Sequence, residues 1–230
     1  MKAKRVITVL LFSFLVGVVA LSTFGCSSGN EQSEGPNVEN IEIKEYQGED
    51  LSSVNDFREN SIAGPQHVNI NNYNLNITGL VDKQLNLTYD EVINQAPSQQ
   101  KVITLNCVEG WSVTILWEGI PLKALFDASG IKQGANTVIF RSYDGYSTSL
   151  PLSYILEKKI ILAYKMNGVT IPEERGFPLM VVAESKWGYK WAKWVTEIEL
   201  SNDPNFRGYW EERGYSNDGS LDKEFFDFSQ

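Results

Sequence analysis

The stretch Leu105–Ser112 constrains this chain most, because it places a thiol at the end of a buried strand. The apolar run Val102–Leu105 predicts that strand. Cys107 follows it and is the only cysteine beyond the N-terminal export region. A thiol in this position has three uses: it packs as a small hydrophobic group, attacks a substrate, or ligates a soft metal.

The composition of the 230 residues indicates a folded body and excludes several classes of function. Hydrophobic residues make up 42% of the chain and aromatic residues 12%, which is typical of a globular protein. The formal charge of −9 argues against nucleic-acid binding, because phosphates are bound by clustered lysines and arginines. The single histidine, His67, argues against a histidine-rich zinc or iron site.

The N-terminus predicts export. Residues 1–25 combine a charged start, which includes Lys4 and Arg5, with the apolar run Val6–Leu21. The following Cys26 makes the segment similar to a bacterial lipoprotein signal, in which that cysteine is lipidated and becomes the new N-terminus. An ordinary signal peptide and an uncleaved anchor are the alternatives. All three put the body outside the cytoplasm, and the first makes it a cell-membrane lipoprotein on the extracytoplasmic face.

The rest of the chain divides by composition into two parts. Residues 26–50 are polar and acidic and predict a flexible tether, whereas residues 51–230 predict one folded domain. Thr88 and Glu91 form a capping pattern that predicts a short helix, and Leu122–Ala128 predicts another that ends at Gly130. Strands and short helices alternate without a βαβ rhythm, which predicts an α+β fold with mixed sheets.

Several motifs together resemble the sulfite-oxidase-like molybdopterin oxidoreductase family. The motif around Cys107 is followed by Trp117–Leu122, and the downstream blocks Gly176–Val182 and Lys186–Val195 match the family's second signature in the right order, as does Phe57–Asn60 near the start. The resemblance is strongest to the exported catalytic subunits that reduce protein methionine sulfoxide. It implies the molybdopterin-binding fold, here expected without the immunoglobulin-like dimerisation domain of the sulfite-oxidising enzymes.

The resemblance also implies a site. Cys107 is expected to be the catalytic thiolate that ligates molybdenum, while the dithiolene of the molybdopterin supplies the other sulfurs. The cofactor is expected to be held by further residues, placed by their match to the family motifs: Asn55, Arg58, Glu59, Ser142, Arg175, Trp191, Ala192 and Lys193.

Simpler interpretations exist for these residues. Arg58 and Lys193 are alternatively surface charges, and Trp191 is alternatively part of an aromatic core patch. Asp144 or Tyr146, in a predicted hairpin turn, is a candidate for the substrate mouth, although aspartate is common in turns for local reasons.

Two positions depart from the family pattern. Met180 stands where relatives carry an arginine, so one cationic contact to the cofactor is missing. The signal carries Lys4-Arg5 rather than twin arginines, although relatives export the folded, cofactor-loaded protein.

The function predicted from these observations is molybdopterin-dependent oxygen-atom transfer outside the cytoplasm, with a sulfoxide-type substrate such as methionine sulfoxide. The resemblance implies a membrane haem or quinol electron donor, and we expect a monomer held at the membrane by its lipid anchor. The alternative, favoured by Met180 and the signal, is a cofactor-free lipoprotein that binds a ligand or a partner on the same fold. A thiol redox protein is a third interpretation, which the missing resolving cysteine disfavours.

Overall fold

The computed structural model describes residues 42–227. The strands are β1 (Glu45–Tyr46), β2 (Glu49–Asp50), β3 (Asn74–Gly79), β4 (Leu85–Thr88), β5 (Gln99–Asn106), β6 (Ser112–Pro121), β7 (Thr137–Ser142), β8 (Ser147–Pro151), β9 (Ile161–Met166), β10 (Val169–Thr170), β11 (Met180–Val181) and β12 (Val195–Ser201). The α-helices are α1 (Tyr89–Ile93), α2 (Leu122–Ser129) and α3 (Leu152–Glu157).

Two five-stranded sheets form the body. The first has the order β10-β9-β6-β5, with β11 also paired to β9, and all of its pairs are antiparallel. The second has the order β4-β3-β12-β7-β8, and its central pair β12 and β3 is parallel. Mixed pairing with short helices confirms the predicted α+β class.

One continuous apolar core joins residues from both sheets. Ile115 and Trp117 of the first sheet and Ile77 and Ile198 of the second are completely buried. Strand β6 bends at a register shift between Glu118 and Gly119. A side chain at Gly119 would lie 2.2 Å from the carbonyl oxygen of Leu162, so the close approach of β9 requires glycine.

The helices begin and end as their sequences predict. Thr88 and Glu91 form the expected capping box at the start of α1. Helix α2 ends at Gly130, whose φ of 71° is readily adopted by glycine. Helix α1 connects β4 to β5, and α2 connects β6 to β7.

The predicted tether ends earlier than expected. Signal residues 1–25 and Cys26 lie outside the described residues, but residues 42–50, the last part of the predicted tether, pack on the body. Glu42 is 7% exposed, and its carboxylate accepts hydrogen bonds from the Val54 amide (2.8 Å) and the Ser53 hydroxyl (2.7 Å). A polar composition suggested flexibility, but one carboxylate with several donors holds this segment in place.

Residues 206–227, called here the C-terminal strap, contain little regular structure and lie against the segment 185–190. Its aromatic side chains pack on one another: the ring centroids of Tyr215 and Phe226 are 4.8 Å apart. Trp187 packs edge-on against Phe225 at 5.4 Å, which joins the strap to the body. Within residues 42–227, none of the helices has the length and apolar character needed to span a membrane.

Candidate active site

Cys107 lies in the tight turn that joins β5 to β6. Its amide donates to the Trp111 carbonyl (2.9 Å), and its carbonyl accepts from the Gly110 amide (3.0 Å). Gly110 has a φ of 85°, which closes this turn without steric cost. The turn therefore fixes Cys107 at the end of the strand, as the sequence predicts.

The thiol is mostly buried, at 9% exposure. Burial raises its pKa, and the negative charge of Glu109 acts in the same direction. Hydrogen bonds from the Glu109 backbone and the Asn60 side chain oppose this shift. Because metal ligation needs the thiolate, a metal bound here has to displace the proton.

A cleft opens in front of this thiol. The empty space of this cleft, including the open solvent at its mouth, is about 920 Å³. Four of the predicted site residues line this cleft: Arg58, Cys107, Trp191 and Lys193.

Lys193 is the best-buried cation of the cleft wall, with a side chain only 11% exposed. Burial lowers its pKa, and the carboxylates of Glu59 and Asp144 act in the opposite direction. Its ammonium lies 3.5 Å from Glu59 and 4.3 Å above the ring of Trp194. The long ion-pair distance leaves hydrogen-bonding capacity on the ammonium for an anion. This environment argues against a plain surface charge.

Five of the predicted residues do not line the cleft, although two of them contact residues that do. Glu59 forms an ion pair with Lys193. The Arg175 guanidinium donates to the Phe57 carbonyl (2.9 Å) and so stabilises the loop that leads to Glu59. Asn55 is exposed, and its carbonyl lies 3.5 Å from the same guanidinium. Ala192 is buried, and its carbonyl accepts from the Val181 amide (2.9 Å).

Ser142 is the fifth of these residues. It is 7% exposed, and its hydroxyl has no hydrogen-bond partner among residues 42–227. Trp191, by contrast, does line the cleft, and its indole N–H donates to the Lys186 carbonyl (3.0 Å). Its ring also packs 5.6 Å from Trp117 of the core, so the two interpretations of Trp191 are compatible.

The hairpin turn between β7 and β8 brings both of its candidate residues to the cleft. Asp144 and Tyr146 line it, and burial raises the pKa of Asp144. Met180, the position that departs from the family pattern, also lines the wall. An apolar side chain thus stands where a cation was expected from the resemblance.

Sequence reasoning missed residues from two segments. Asn60 and Ser61 come from the loop after Arg58. Asn60 ends the Phe57–Asn60 motif but was not predicted as a site residue, and its hydrogen bond to Cys107 lowers the pKa of the thiol. Trp210 and Tyr215 come from the strap, which the sequence shows only as aromatic and acidic. Local motifs do not reveal these residues, because long-range folding alone brings the strap to the thiol.

The residues of the cleft fit a molybdopterin. The Cys107 thiol supplies a soft ligand, and the Lys193 ammonium suits the pterin phosphate. The Ser61 hydroxyl lies in the cleft with no hydrogen-bond partner in the described part of the chain, so it is available to a ligand. No group of three or more His, Cys, Asp or Glu side chains suited to a metal occurs within residues 42–227.

Comparison with known proteins agrees with this chemistry. Residues 62–210 match the family described as the oxidoreductase molybdopterin binding domain. The chain belongs to this family. Its cofactor is therefore molybdenum–molybdopterin, and the cleft at Cys107 is the candidate site for it.

Several curated relatives are similar to the chain. An uncharacterized oxidoreductase of Bacillus subtilis, YuiH, is 33% identical over 66% of this chain and 76% of its own length. A putative protein-methionine-sulfoxide reductase subunit of Azospira oryzae is 32% identical over 66% of this chain and 57% of its own length. The protein-methionine-sulfoxide reductase catalytic subunit of Gluconobacter oxydans is 30% identical over 56% and 46%. The chain thus spans about half the length of the two named reductases.

A solved structure shares the fold. The sulfane dehydrogenase SoxCD of Paracoccus pantotrophus superposes with a TM-score of 0.59 at 20% identity, covering 79% of this chain and 57% of that one. This likeness confirms the predicted sulfite-oxidase-like molybdopterin-binding fold.

Proposed function

We propose that this molybdopterin oxidoreductase acts outside the cytoplasm and reduces a neutral sulfoxide, with methionine sulfoxide as the model substrate. The observation that carries the proposal is the character of the cleft next to Cys107. The charged side chain that acts most strongly on the thiol is Glu109, an anion. Aromatic side chains, those of Trp111, Trp210 and Tyr215, line the same cleft.

This environment discriminates between classes of substrate. An anion beside the metal ligand repels nitrate and sulfite, which are themselves negatively charged. A sulfoxide has no net charge, and its alkyl groups gain from contact with aromatic rings. Two relatives are named as protein-methionine-sulfoxide reductases, which supports the same substrate class.

Residues of this chain hold the cofactor in the proposal. Cys107 would bind the metal through Sγ, Lys193 and Arg58 would bind the phosphate, and Trp191 would contribute to the wall of the pterin site. The cofactor, when bound, supplies the two-electron oxygen-atom transfer. The reaction is R₂SO + 2e⁻ + 2H⁺ → R₂S + H₂O. The electrons come from a membrane haem or quinol donor and the protons from solvent.

We also propose that the signal leads to lipidation at Cys26 and anchors the domain to the membrane. Mass spectrometry of the mature N-terminus tests this part separately. A diacylglyceryl group on Cys26 is expected, and a Cys26→Ala variant should be released from the membrane. A mature chain that starts beyond Cys26 would contradict the anchor and leave the enzyme proposal intact.

The central experiment measures molybdenum content and turnover in protein purified from its native host. With a reduced viologen dye as donor, we expect turnover of methionine sulfoxide and much slower turnover of nitrate. A Cys107→Ser variant prepared in the same way is the matched control. Protein with an intact Cys107 but no molybdenum would refute the proposal and favour a cofactor-free binding protein.

A further inference from the structure

Lys190 and Glu211 form an ion pair that is completely buried, although neither lines the cleft. Both side chains are 0% exposed, and the ammonium lies 2.6 Å from the Glu211 carboxylate. The same carboxylate oxygen accepts from the Thr148 hydroxyl (2.6 Å). The ammonium also donates to the Asn217 carbonyl (3.0 Å). One cation thus holds two points of the C-terminal strap.

The pair joins two segments that carry cleft residues. Lys190 ends a short 3-10 helix and directly precedes Trp191. Glu211 directly follows Trp210, and the 3-10 helix that it begins leads to Tyr215. The Tyr215 amide donates to the Trp210 carbonyl (3.1 Å), which closes this turn. A shift of Glu211 relative to Lys190 therefore moves Trp210 and Tyr215 relative to Trp191.

The strap also lies close to the aliphatic stem of Lys190. A side chain built on Gly219 would lie 2.5 Å from Cγ of Lys190 and 2.9 Å from its Cδ. Gly219 has a φ of 64°, so its backbone also favours glycine. The strap backbone therefore rests on the lysine side chain, and its position depends on where that side chain lies.

Stability alone does not account for a buried pair of this kind. Desolvation of two charges offsets most of their attraction, and apolar replacements of similar size often give equal stability. Burial lowers the pKa of Lys190, and the nearby Glu211 carboxylate opposes that shift. What a charged pair with short hydrogen bonds adds is a defined geometry.

We propose that the Lys190–Glu211 pair is a positioning device that sets where Trp210 and Tyr215 stand at the thiol side of the cleft. Through them it sets the affinity for the apolar groups of the substrate. The choice of substrate in the test rests on the proposed function, whereas the positioning itself does not.

Three variants of the holoenzyme test the proposal: Lys190→Met, Glu211→Gln and the double variant, which carries the decisive measurement. In the double variant we expect amide hydrogen exchange at residues 208–215 to be at least ~10-fold faster. We expect KM for a methionine sulfoxide peptide to rise about 10-fold with kcat within about 2-fold, since substrate positioning is lost and the chemistry is kept. Molybdenum content should stay at the wild-type level.

The control is Lys223→Met, because Lys223 pairs with Asp218 on the same strap but is 61% exposed. It should change neither exchange at 208–215 nor KM. Single variants that fail to fold leave the test intact, because the double variant contains no uncompensated buried charge. A folded double variant with wild-type exchange and wild-type KM would overturn the inference. Without sulfoxide turnover in the wild type, the proposed function fails and the exchange measurement alone decides the positioning.

Discussion

Two regions of the cleft differ in charge and in the way the chain builds them. At the cationic region, Lys193 and Arg58 line the wall, and the carboxylates of Glu59 and Asp144 lie near Lys193. At the thiol region, Cys107 stands beside the anion Glu109 and the aromatic ring of Tyr215, whose pKa is raised by burial and by the nearby Cys107 and Glu109. The first suits an anion, and the second suits a neutral, partly apolar group.

This difference predicts that the first region contributes mainly to binding of the cofactor phosphate and the second mainly to selection of the substrate. The cationic region takes its residues from two family motifs, around positions 58 and 193. The thiol region receives Trp210 and Tyr215 from the C-terminal strap, so part of it depends on long-range packing. Substitutions in one region should therefore change cofactor retention, and substitutions in the other should change KM for the substrate.

The largest expected effect is that of Cys107→Ser, which removes the proposed metal ligand. Loss of a second-sphere contact typically costs 10- to 100-fold in activity, so loss of the ligand itself should lower turnover by more than ~100-fold. Molybdenum content, measured by mass spectrometry, should fall with it. The free energy of unfolding of the apo-protein should drop by only ~1–3 kcal/mol, because one buried hydroxyl replaces a thiol. A Cys107→Ser variant that retains wild-type molybdenum would contradict the proposal that Cys107 is the metal ligand.

Lys193→Met tests the cationic region alone. Loss of a charge-assisted hydrogen bond of ~1.5–3 kcal/mol should weaken cofactor retention by roughly 10- to 100-fold. The molybdopterin content after dialysis measures this, and KM of the remaining loaded enzyme should stay unchanged. The control is Lys123→Met, because the Lys123 side chain is 64% exposed and forms only an ion pair within a helix. This variant should retain the cofactor. A raised KM with full cofactor content would contradict the division of the cleft.

The parts that the sequence predicts well are those determined locally. The capping box of Thr88 and Glu91 needs only neighbouring residues, and it forms as expected. The position of Cys107 at the end of β5 follows from an apolar run and a tight turn. Lys193 lies within a motif of the family, and the cleft contains it.

The parts that sequence reasoning missed depend on contacts between distant segments. Glu42 looks like a tether residue, yet it is buried because Ser53 and Val54 supply donors to it. Trp210 and Tyr215 reach the cleft because Lys190 and Glu211 join the strap to the body. No periodicity or spacing in the strap indicates which of its aromatic residues face the thiol.

Trp210→Ala tests the thiol region without touching the metal ligand. Loss of a large aromatic contact of ~1–1.5 kcal/mol should raise KM for a methionine sulfoxide peptide by about 10-fold. Cofactor content should remain that of the wild type. Tyr143→Ala is the control, since Tyr143 is 57% exposed and does not line the cleft. Loss of molybdenum in Trp210→Ala would show that the strap also holds the cofactor.

The smallest expected effect is on stability at low pH. The C-terminal strap should lose more stability in acid than the region around Lys193. Burial alone would raise the pKa of Asp218, but hydrogen bonds from Lys186, Lys223 and Ser220 outweigh it and hold that pKa well below its usual range. Since the folded-state pKa is the lower one, this stabilisation is present above the unfolded pKa of about 4 and is lost as pH falls through the folded value.

Asp218→Asn should therefore lower the free energy of unfolding at pH 7, by less than about 1 kcal/mol because the carboxylate is partly exposed. The difference from wild type should shrink as pH falls from about 4 to about 2, below the unfolded pKa. Urea titrations at several pH values measure it, and hydrogen exchange should place the loss in residues 216–223 rather than near Lys193. A difference that stays constant over this pH range would show that the carboxylate charge does not anchor the strap.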